Sequence, residues 1–255
     1  MEKTLKEIID ESENVVFFGG VGVSTESGIP DFRSKDGLYH AQQSYGYPPE
    51  TILSHTFYME HNETFFKYYK ENLIAEGVKP NKAHLALAEL ERRGKLKAVI
   101  TQNIDGLHQK AGSKNVLELH GSTLRNTCEK CGAHFDLDYV MDEANCEGQV
   151  PHCDRCGGRI KPDVVLYEEM LDNDVMIAAI KAIQEADVMI VGGTSLNVYP
   201  AAGLISYFRG KHLVLINRSA TPYDDAADLV IHDTIGKVLW SLVEDGEGNK
   251  AAAQE

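Results

Sequence analysis

Short apolar runs that end in paired glycines constrain this chain more than any other feature. Val15-Val16-Phe17-Phe18 runs into Gly19-Gly20, and Val188–Val191 runs into Gly192-Gly193. A continuous apolar run of this length reads as a strand buried on both faces, since a strand with one wet face would alternate. Segments of helical spacing separate such runs. Residues 2–11 place Leu5, Ile8 and Ile9 on one face, Ala83–Arg93 is helical up to a stop at Gly94, and Asp174–Glu185 repeats the pattern. Strands are predicted over Ala98–Thr101, Val116–Leu119, Leu213–Ile216 and Leu229–Ile231, and helices over Ala201–Phe208 and Ile235–Val243. Such alternation predicts an α/β fold, a doubly wound parallel sheet covered on both faces.

Two stretches break the rhythm. Residues 37–80 are rich in Tyr, Phe and His, and residues 122–162 are polar, dotted with glycine, and hold all five cysteines. Both are read as insertions that form a small second domain beside a sheet domain of residues 1–36, 81–121 and 163–244. Residues 245–255 are expected to be a frayed tail. Four cysteines make two C-x2-C pairs, Cys128/Cys131 and Cys153/Cys156, separated by 21 residues. That spacing predicts one closed, structural Zn2+ site with no open position for catalysis. Cys146, His134 and His152 are spare groups nearby.

Charge and hydropathy narrow the partners. Lys and Arg number 25 against 39 Asp and Glu, a net charge of −14, which argues against a nucleic-acid backbone as the main partner. No apolar run approaches the roughly 20 residues that span a bilayer, and the first residues lack the apolar core of an export signal. A cytoplasmic protein, without membrane or nucleic-acid partners and monomeric, is the expectation.

In open α/β sheets ligands bind beyond the carboxyl ends of the strands, and the suggestive segments here all follow predicted strands. Residues 19–33 carry Gly20, Gly22 and Thr25, then Phe32 and Arg33; glycines let backbone N–H groups approach a phosphate, and Arg33 offers a bidentate charge. A tight turn with a capping Ser explains the glycines equally well, and the absence of Gly at position 25 breaks the usual dinucleotide fingerprint. Gln102, Asn103 and Asp105 crowd after one strand, although Asn103 and Asp105 would also serve as helix caps. His120, followed by Gly121, stands at another strand end as a candidate general base. Gly193, Thr194 and Ser195 follow a third strand, and Asn217 a fourth.

Taken in order, these segments resemble the sirtuins, the NAD-dependent protein lysine deacylases, from about Asn14 to Gly236. The motifs are Gly20-Val-Gly-Val-Ser24, Ser27-Gly-Ile-Pro-Asp-Phe-Arg33, Thr101-Gln-Asn-Ile-Asp105, His120-Gly121, the two Cys pairs, Lys161-Pro-Asp-Val-Val165 and Gly193-Thr-Ser-Leu196. The resemblance implies NAD, consumed as co-substrate, between a Rossmann-like domain and a zinc-plus-helical module. It implies that Val21–Thr25 and Arg33 approach the diphosphate and that Phe32 shields the reactive centre. Asn103, Ile104 and Asp105 would seat the nicotinamide, and Gln102 and His120 would face the ribose. Gly193, Thr194, Ser195 and Asn217 would hold the adenosine half, with Asp233 or Thr234 at the adenine edge. His120, Asn103 and Asp105 would be the catalytic groups. An acetyl-lysine peptide would add as a strand between Val164, Val165, Leu166 and Tyr167 on one side and the loop with Leu196 and Val198 on the other. The implied function is an NAD-dependent protein lysine deacetylase; the alternatives are a mono-ADP-ribosyltransferase on the same scaffold and a non-catalytic NAD-sensing zinc module.

The chain departs from the family pattern at three places. Val21 replaces the usual Ala, and Glu168 stands where many members carry Gly. Branches that remove succinyl groups carry a Tyr and an Arg on the helix before Pro80, and the aligned positions here are Phe66 and Tyr69. Without that Arg a carboxylate-bearing acyl chain would be buried unpaired, so acetyl and other neutral acyl groups are the predicted substrates.

Overall fold

A computed structural model describes residues 3–31, 34–75 and 77–244. The chain begins with α1 (Leu5–Glu11), β1 (Val15–Gly19), α2 (Lys35–Tyr45), α3 (Pro49–Ile52), α4 (His55–Glu60), α5 (Asn62–Asn72), α6 (Lys82–Arg92), β2 (Leu96–Thr101), α7 (Leu107–Lys110) and β3 (Val116–Glu118). It continues through β4 (Gly121–Cys128), β5 (His134–Phe135), α8 (Leu137–Met141), β6 (Cys146–Glu147), β7 (Val150–Pro151) and β8 (Ile160–Val164). It ends with α9 (Asn173–Glu185), β9 (Val188–Gly192), β10 (His212–Ile216), β11 (Leu229–Ile231) and α10 (Ile235–Trp240).

Six strands form one parallel sheet in the order β11-β10-β9-β1-β2-β3. The apolar runs lie at its centre: β1 and β9 are buried at every residue. Alternation along β1 divides the core into two layers. Val15 and Phe17 pack with α1, α6 and α10, whereas Val16 and Phe18 pack with Ala179 and Ile183 of α9 and with Leu204 and Ile205. A strand with a helical layer on each side needs apolar residues at both parities, which is why the runs are unbroken.

The segment Ala201–Phe208, predicted as an α-helix, is instead a 3₁₀ helix over Ala201–Tyr207. Its turns close three residues back, as in the bond from Gly203 N–H to Pro200 C=O. Gly203 weakens α-helical propensity here, and Ala201, Ala202, Leu204 and Ile205 are all buried against the sheet by the tighter winding.

Beside the sheet lie two further units. Helices α2–α5 enclose an aromatic core of Phe57, Tyr58, Phe65, Phe66, Tyr68 and Tyr69, joined by Val150 of the second insertion and by Val164 and Leu166 just after it. Strand β4 pairs antiparallel with β5 and β8, and β6 with β7. Residues that follow β1, β2, β3 and β9 line one cavity with Leu53 of the first insertion and Val164 at the end of β8, so a cleft runs between the sheet and its neighbours.

Candidate active site

The glycines at the strand ends meet each other. Gly22 N–H donates to Gly193 C=O at 2.8 Å, and a β-carbon on Gly22 would lie 2.7 Å from Gly193 Cα. Gly193 has φ +60, and a β-carbon there would lie 2.5 Å from Val23 N. Close backbone approach between two loops therefore explains these glycines, a demand that neither a turn nor a phosphate fingerprint expresses. Thr194 extends the contact: its N–H donates to Asn217 Oδ1 at 3.1 Å while Asn217 Nδ2 donates to Thr194 C=O at 2.6 Å. Gln102 Nε2 donates to Thr194 Oγ1 at 3.1 Å, tying the end of β2 to the same loop. Gly20, Gly22, Gln102, Gly193, Thr194 and Asn217 are thus brought together. Thr25 lies on the same loop, where its hydroxyl donates to Gly22 C=O.

Behind this platform runs a polar chain whose hydrogen directions are fixed. Asn81 caps α6, and its N–H donates to His84 Nδ1 at 3.2 Å. His84 Nε2 must then carry the ring proton, and it faces Ser24 Oγ at 3.5 Å. Asn103 Nδ2 also donates to Ser24 Oγ, at 3.0 Å, and that hydroxyl gives its own proton to Asp105 Oδ2 at 2.7 Å. The other Asp105 oxygen accepts Leu107 N–H at 2.9 Å. Burial pushes the Asp105 carboxyl above the usual carboxylate range, with these hydrogen bonds pulling the other way. Burial likewise holds His84 neutral, its pKa lowered to about 4. His108 packs edge-on against His84 at 4.7 Å, buried with neither ring nitrogen hydrogen-bonded, and burial lowers its pKa to about 3.

His120 follows β3 and shares the cavity lining with Asn103. Its Nδ1 lies 2.9 Å from Gln102 C=O, which can only accept, so Nδ1 carries a proton and Nε2 is the acceptor nitrogen of the neutral ring. Its own carbonyl accepts Val165 N–H at 3.0 Å. Gly121 makes this possible: at φ +74 a β-carbon would lie 1.9 Å from the Asp163 carbonyl oxygen. A cavity of about 230 Å³ opens here, lined by Val21, Gln102, Asn103, Ile104, Asp105 and His120 on the sheet side. Val164, Val165, Leu166 and Tyr167 line its other side, with Val198 at the rim. A neighbouring concavity joins Tyr167 to Ser195, Asn197 and Val198.

Several sequence-predicted residues stand elsewhere. The Leu196 side chain is 2% exposed and packs into the sheet core, so its backbone alone is left to meet a substrate. Asp233 and Thr234 stand at the start of α10: Asp233 Oδ1 accepts Thr234 N–H at 2.7 Å, and Oδ2 holds Lys237 Nζ at 2.5 Å. These bonds keep the Asp233 carboxyl below its usual range. Phe32 and Arg33 lie outside the described residues, as do residues 245–255. Phe66 and Tyr69 do not line the cavity. They are 2% and 1% exposed in the aromatic core, while Leu53 and, one turn further along α5, Asn72 and Leu73 reach the cavity wall.

The four paired cysteines converge. Their sulfurs all lie within 4.8 Å of one another, with Cys128 Sγ 3.5 Å from Cys156 Sγ and Cys131 Sγ 3.7 Å from Cys153 Sγ. Four thiolates at the usual Zn–S length on a tetrahedron stand about 3.8 Å apart, so the cluster fits one zinc ion. Cys146 stays out of the cluster, its sulfur 3.3 Å from Lys70 Nζ.

Residues 20–200 match the Sir2 family. The chain belongs to the Sir2 family. It is 61% identical over 239 residues to an NAD-dependent protein deacetylase of Clostridium acetobutylicum, covering 94% of this chain and 96% of that one. It is 59% identical over 243 residues to the protein of the same name from Clostridium tetani, covering 95% and 97%. Among solved structures, a Sir2 homolog–NAD complex superposes with a TM-score of 0.83 at 41% identity, covering 96% of this chain and 93% of that one. A Sir2 bound to acetylated peptide gives a TM-score of 0.83 at 37% identity, covering 96% and 99%. In this Sir2-family chain sequence reasoning passed over His84 and placed Ser24 only in the glycine loop; together they orient Asn103 and Asp105. The available signal was His84 three residues after the N-cap Asn81, a position from which a side chain can return to the cap.

Proposed function

We propose that this chain is an NAD-dependent protein lysine deacetylase that moves an acetyl group from lysine to the 2′-oxygen of ADP-ribose and releases nicotinamide. The observation that carries the reading is His120: an imidazole held at Nδ1 by the Gln102 carbonyl, sharing one cavity wall with Asn103 and Asp105. In this reading NAD enters from the sheet side. The joined loops at Gly20–Thr25 and Gly193–Ser195 hold its diphosphate and adenosine, Asn217 braces them, and Asp233 or Thr234 marks the adenine edge. Asn103, Ile104 and Asp105 seat the nicotinamide carboxamide, with Ser24 and His84 fixing the two polar side chains. Acetyl-lysine enters from the opposite side, its backbone beside Val164–Tyr167 and Val198.

With NAD bound, His120 Nε2 would act as the general base for a ribose hydroxyl, and NAD would supply both the ribose carbon that gives up nicotinamide and the sugar oxygen that receives the acetyl group. The Gln102 carbonyl keeps the ring in the tautomer that can do this and supports the imidazolium as it forms. Apolar groups from Val21, Ile29, Leu53, Leu73, Ile104 and Leu166 keep the reacting centre dry. Among the described residues the cavity wall holds no Lys or Arg, which supports a preference for neutral acyl groups. Cys128, Cys131, Cys153 and Cys156 would hold zinc, which supplies folding energy and stands apart from the chemistry. We propose further that the protein acts as a cytoplasmic monomer without nucleic-acid or membrane partners, in keeping with its net charge of −14.

Mass spectrometry of an acetyl-lysine peptide with and without NAD tests the reading. Loss of the acetyl group only with NAD, alongside O-acetyl-ADP-ribose, is expected. ADP-ribose added to protein would replace the reading with a transferase, and no change in either would leave a binding module.

A further inference from the structure

The wall segment Val164–Glu169 contains a backbone conformation that the chemistry above does not require. Glu168 has φ +77, a region that glycine enters freely and that a β-carbon disfavours. Its side chain is bound back to the helical insertion: Oε2 accepts from Thr56 N–H at 2.9 Å and from Thr56 Oγ1 at 2.7 Å. The neighbouring backbone is tied to the same stretch. Tyr167 N–H donates to Leu53 C=O at 3.0 Å, and His55 N–H donates to Tyr167 C=O at 2.9 Å. Glu169 completes the lacing, with Oε1 2.9 Å from His55 Nδ1 and Oε2 accepting Leu166 N–H at 2.8 Å.

One side of the segment is thus consumed by the insertion and the other is left open. The C=O of Val165 and both backbone groups of Glu168 make no hydrogen bond among the described residues. Neither do the N–H groups of Asn197 and Val198, which share the neighbouring concavity with Tyr167. Open backbone groups on both sides of a groove are what an added strand pairs with.

We propose that Glu168 is a positioning residue for the acylated peptide. Anchored to Thr56, it holds its own backbone in the left-handed conformation and so presents the open edge of residues 165–168 to the incoming chain. A glycine here would adopt the turn without strain but would have nothing to fix it; Glu168 accepts the strain and supplies the fixing. This rests on the deacetylase reading and adds to it the group that sets the docking edge.

Steady-state kinetics on the full chain with an acetyl-lysine peptide compare wild type with Glu168→Ala, Glu168→Gln and Glu168→Gly. Glu168→Ala keeps the disfavoured backbone and loses the anchor, so the peptide KM should rise about five-fold while kcat and the NAD KM stay within about two-fold. Glu168→Gln retains an acceptor oxygen and should bring the peptide KM back to within about two-fold of wild type. Glu168→Gly should fall between them. An unchanged peptide KM in Glu168→Ala, or a Glu168→Gln variant as weak as Glu168→Ala, overturns the proposal. Amide exchange on the substrate-free protein reads the anchor by itself. Thr56 N–H should exchange about ten-fold faster in Glu168→Ala and recover in Glu168→Gln, because its acceptor has been removed and restored. Unchanged exchange overturns the anchor. A wild-type protein that does not deacetylate overturns the peptide role together with the deacetylase reading, and the exchange result then stands separately as a statement about the fold.

Discussion

The sheet half and the cysteine half of this molecule bury their interiors by opposite means. Around β1 and β9 two aliphatic layers, one on each face of the sheet, exclude water without help. The cluster around the cysteines holds just Cys128, Ala133, Val140, Cys153 and Ile160, far too little apolar surface to offset the entropy of ordering some forty residues. The contrast shows that one half is stable because of what its residues are, the other because of what they hold. The cleft lies where the two meet, so its geometry inherits both dependencies.

Metal removal should break the comparison most sharply. A chelator strong enough to strip zinc, or Cys128→Ser, should unfold residues 121–164 while the parallel sheet persists, since structural zinc is worth about 10–16 kcal/mol in small sites. Hydrogen-exchange protection lost in β4 and β8 but kept in β1 and β9 is the expected pattern; uniform loss would mean that the halves are one cooperative unit. At the seam, His120→Ala should lower kcat about a thousand-fold, equivalent to about 4 kcal/mol, with NAD affinity and melting temperature little changed.

Acid sharpens the comparison from the sheet side. His84 and His108 are buried with pKa values lowered from 6.5 to about 4 and about 3. A folded-state pKa below the unfolded one stabilises the fold above pH 6.5, and that stability is lost as pH falls toward the folded values. Urea denaturation at pH 7 and pH 5 should therefore differ by about 2 kcal/mol for each imidazole. His108→Leu should remove about half of that difference. The smallest expected effect concerns the acyl chain: kcat/KM for a succinyl peptide should fall about ten-fold or more below that for an acetyl peptide, because its carboxylate would enter the cavity unpaired. Equal values would show that a cation reaches the cavity.

Legibility followed the physics of each signal. The runs at Val15–Phe18 and Val188–Val191 were readable because burial on both faces leaves no alternation to confuse. The cysteine pairs were readable because two short spacings have few other uses. The fit of Gly22 against Gly193 was not, since close approach between distant loops leaves only two glycines in the sequence and no spacing rule. His84, and the bond from Ser24 to Asp105, escaped for the same reason: the chain from Asn81 to Asp105 exists only once α6 packs beside β2. The acyl-pocket argument was drawn from Phe66 and Tyr69, whose side chains point into a different core from the cavity wall. Glu168 looked like a departure without a reason until its contact with Thr56 supplied one.

Because a β-carbon at position 121 would lie 1.9 Å from the Asp163 oxygen, the His120 imidazole is welded to the wall beside it. A saturation library at Gly121 should return glycine alone, whereas libraries at Leu53, Leu73 or Ile104 should return many survivors. Descendants of this chain can therefore reshape the cavity wall without disturbing the setting of His120.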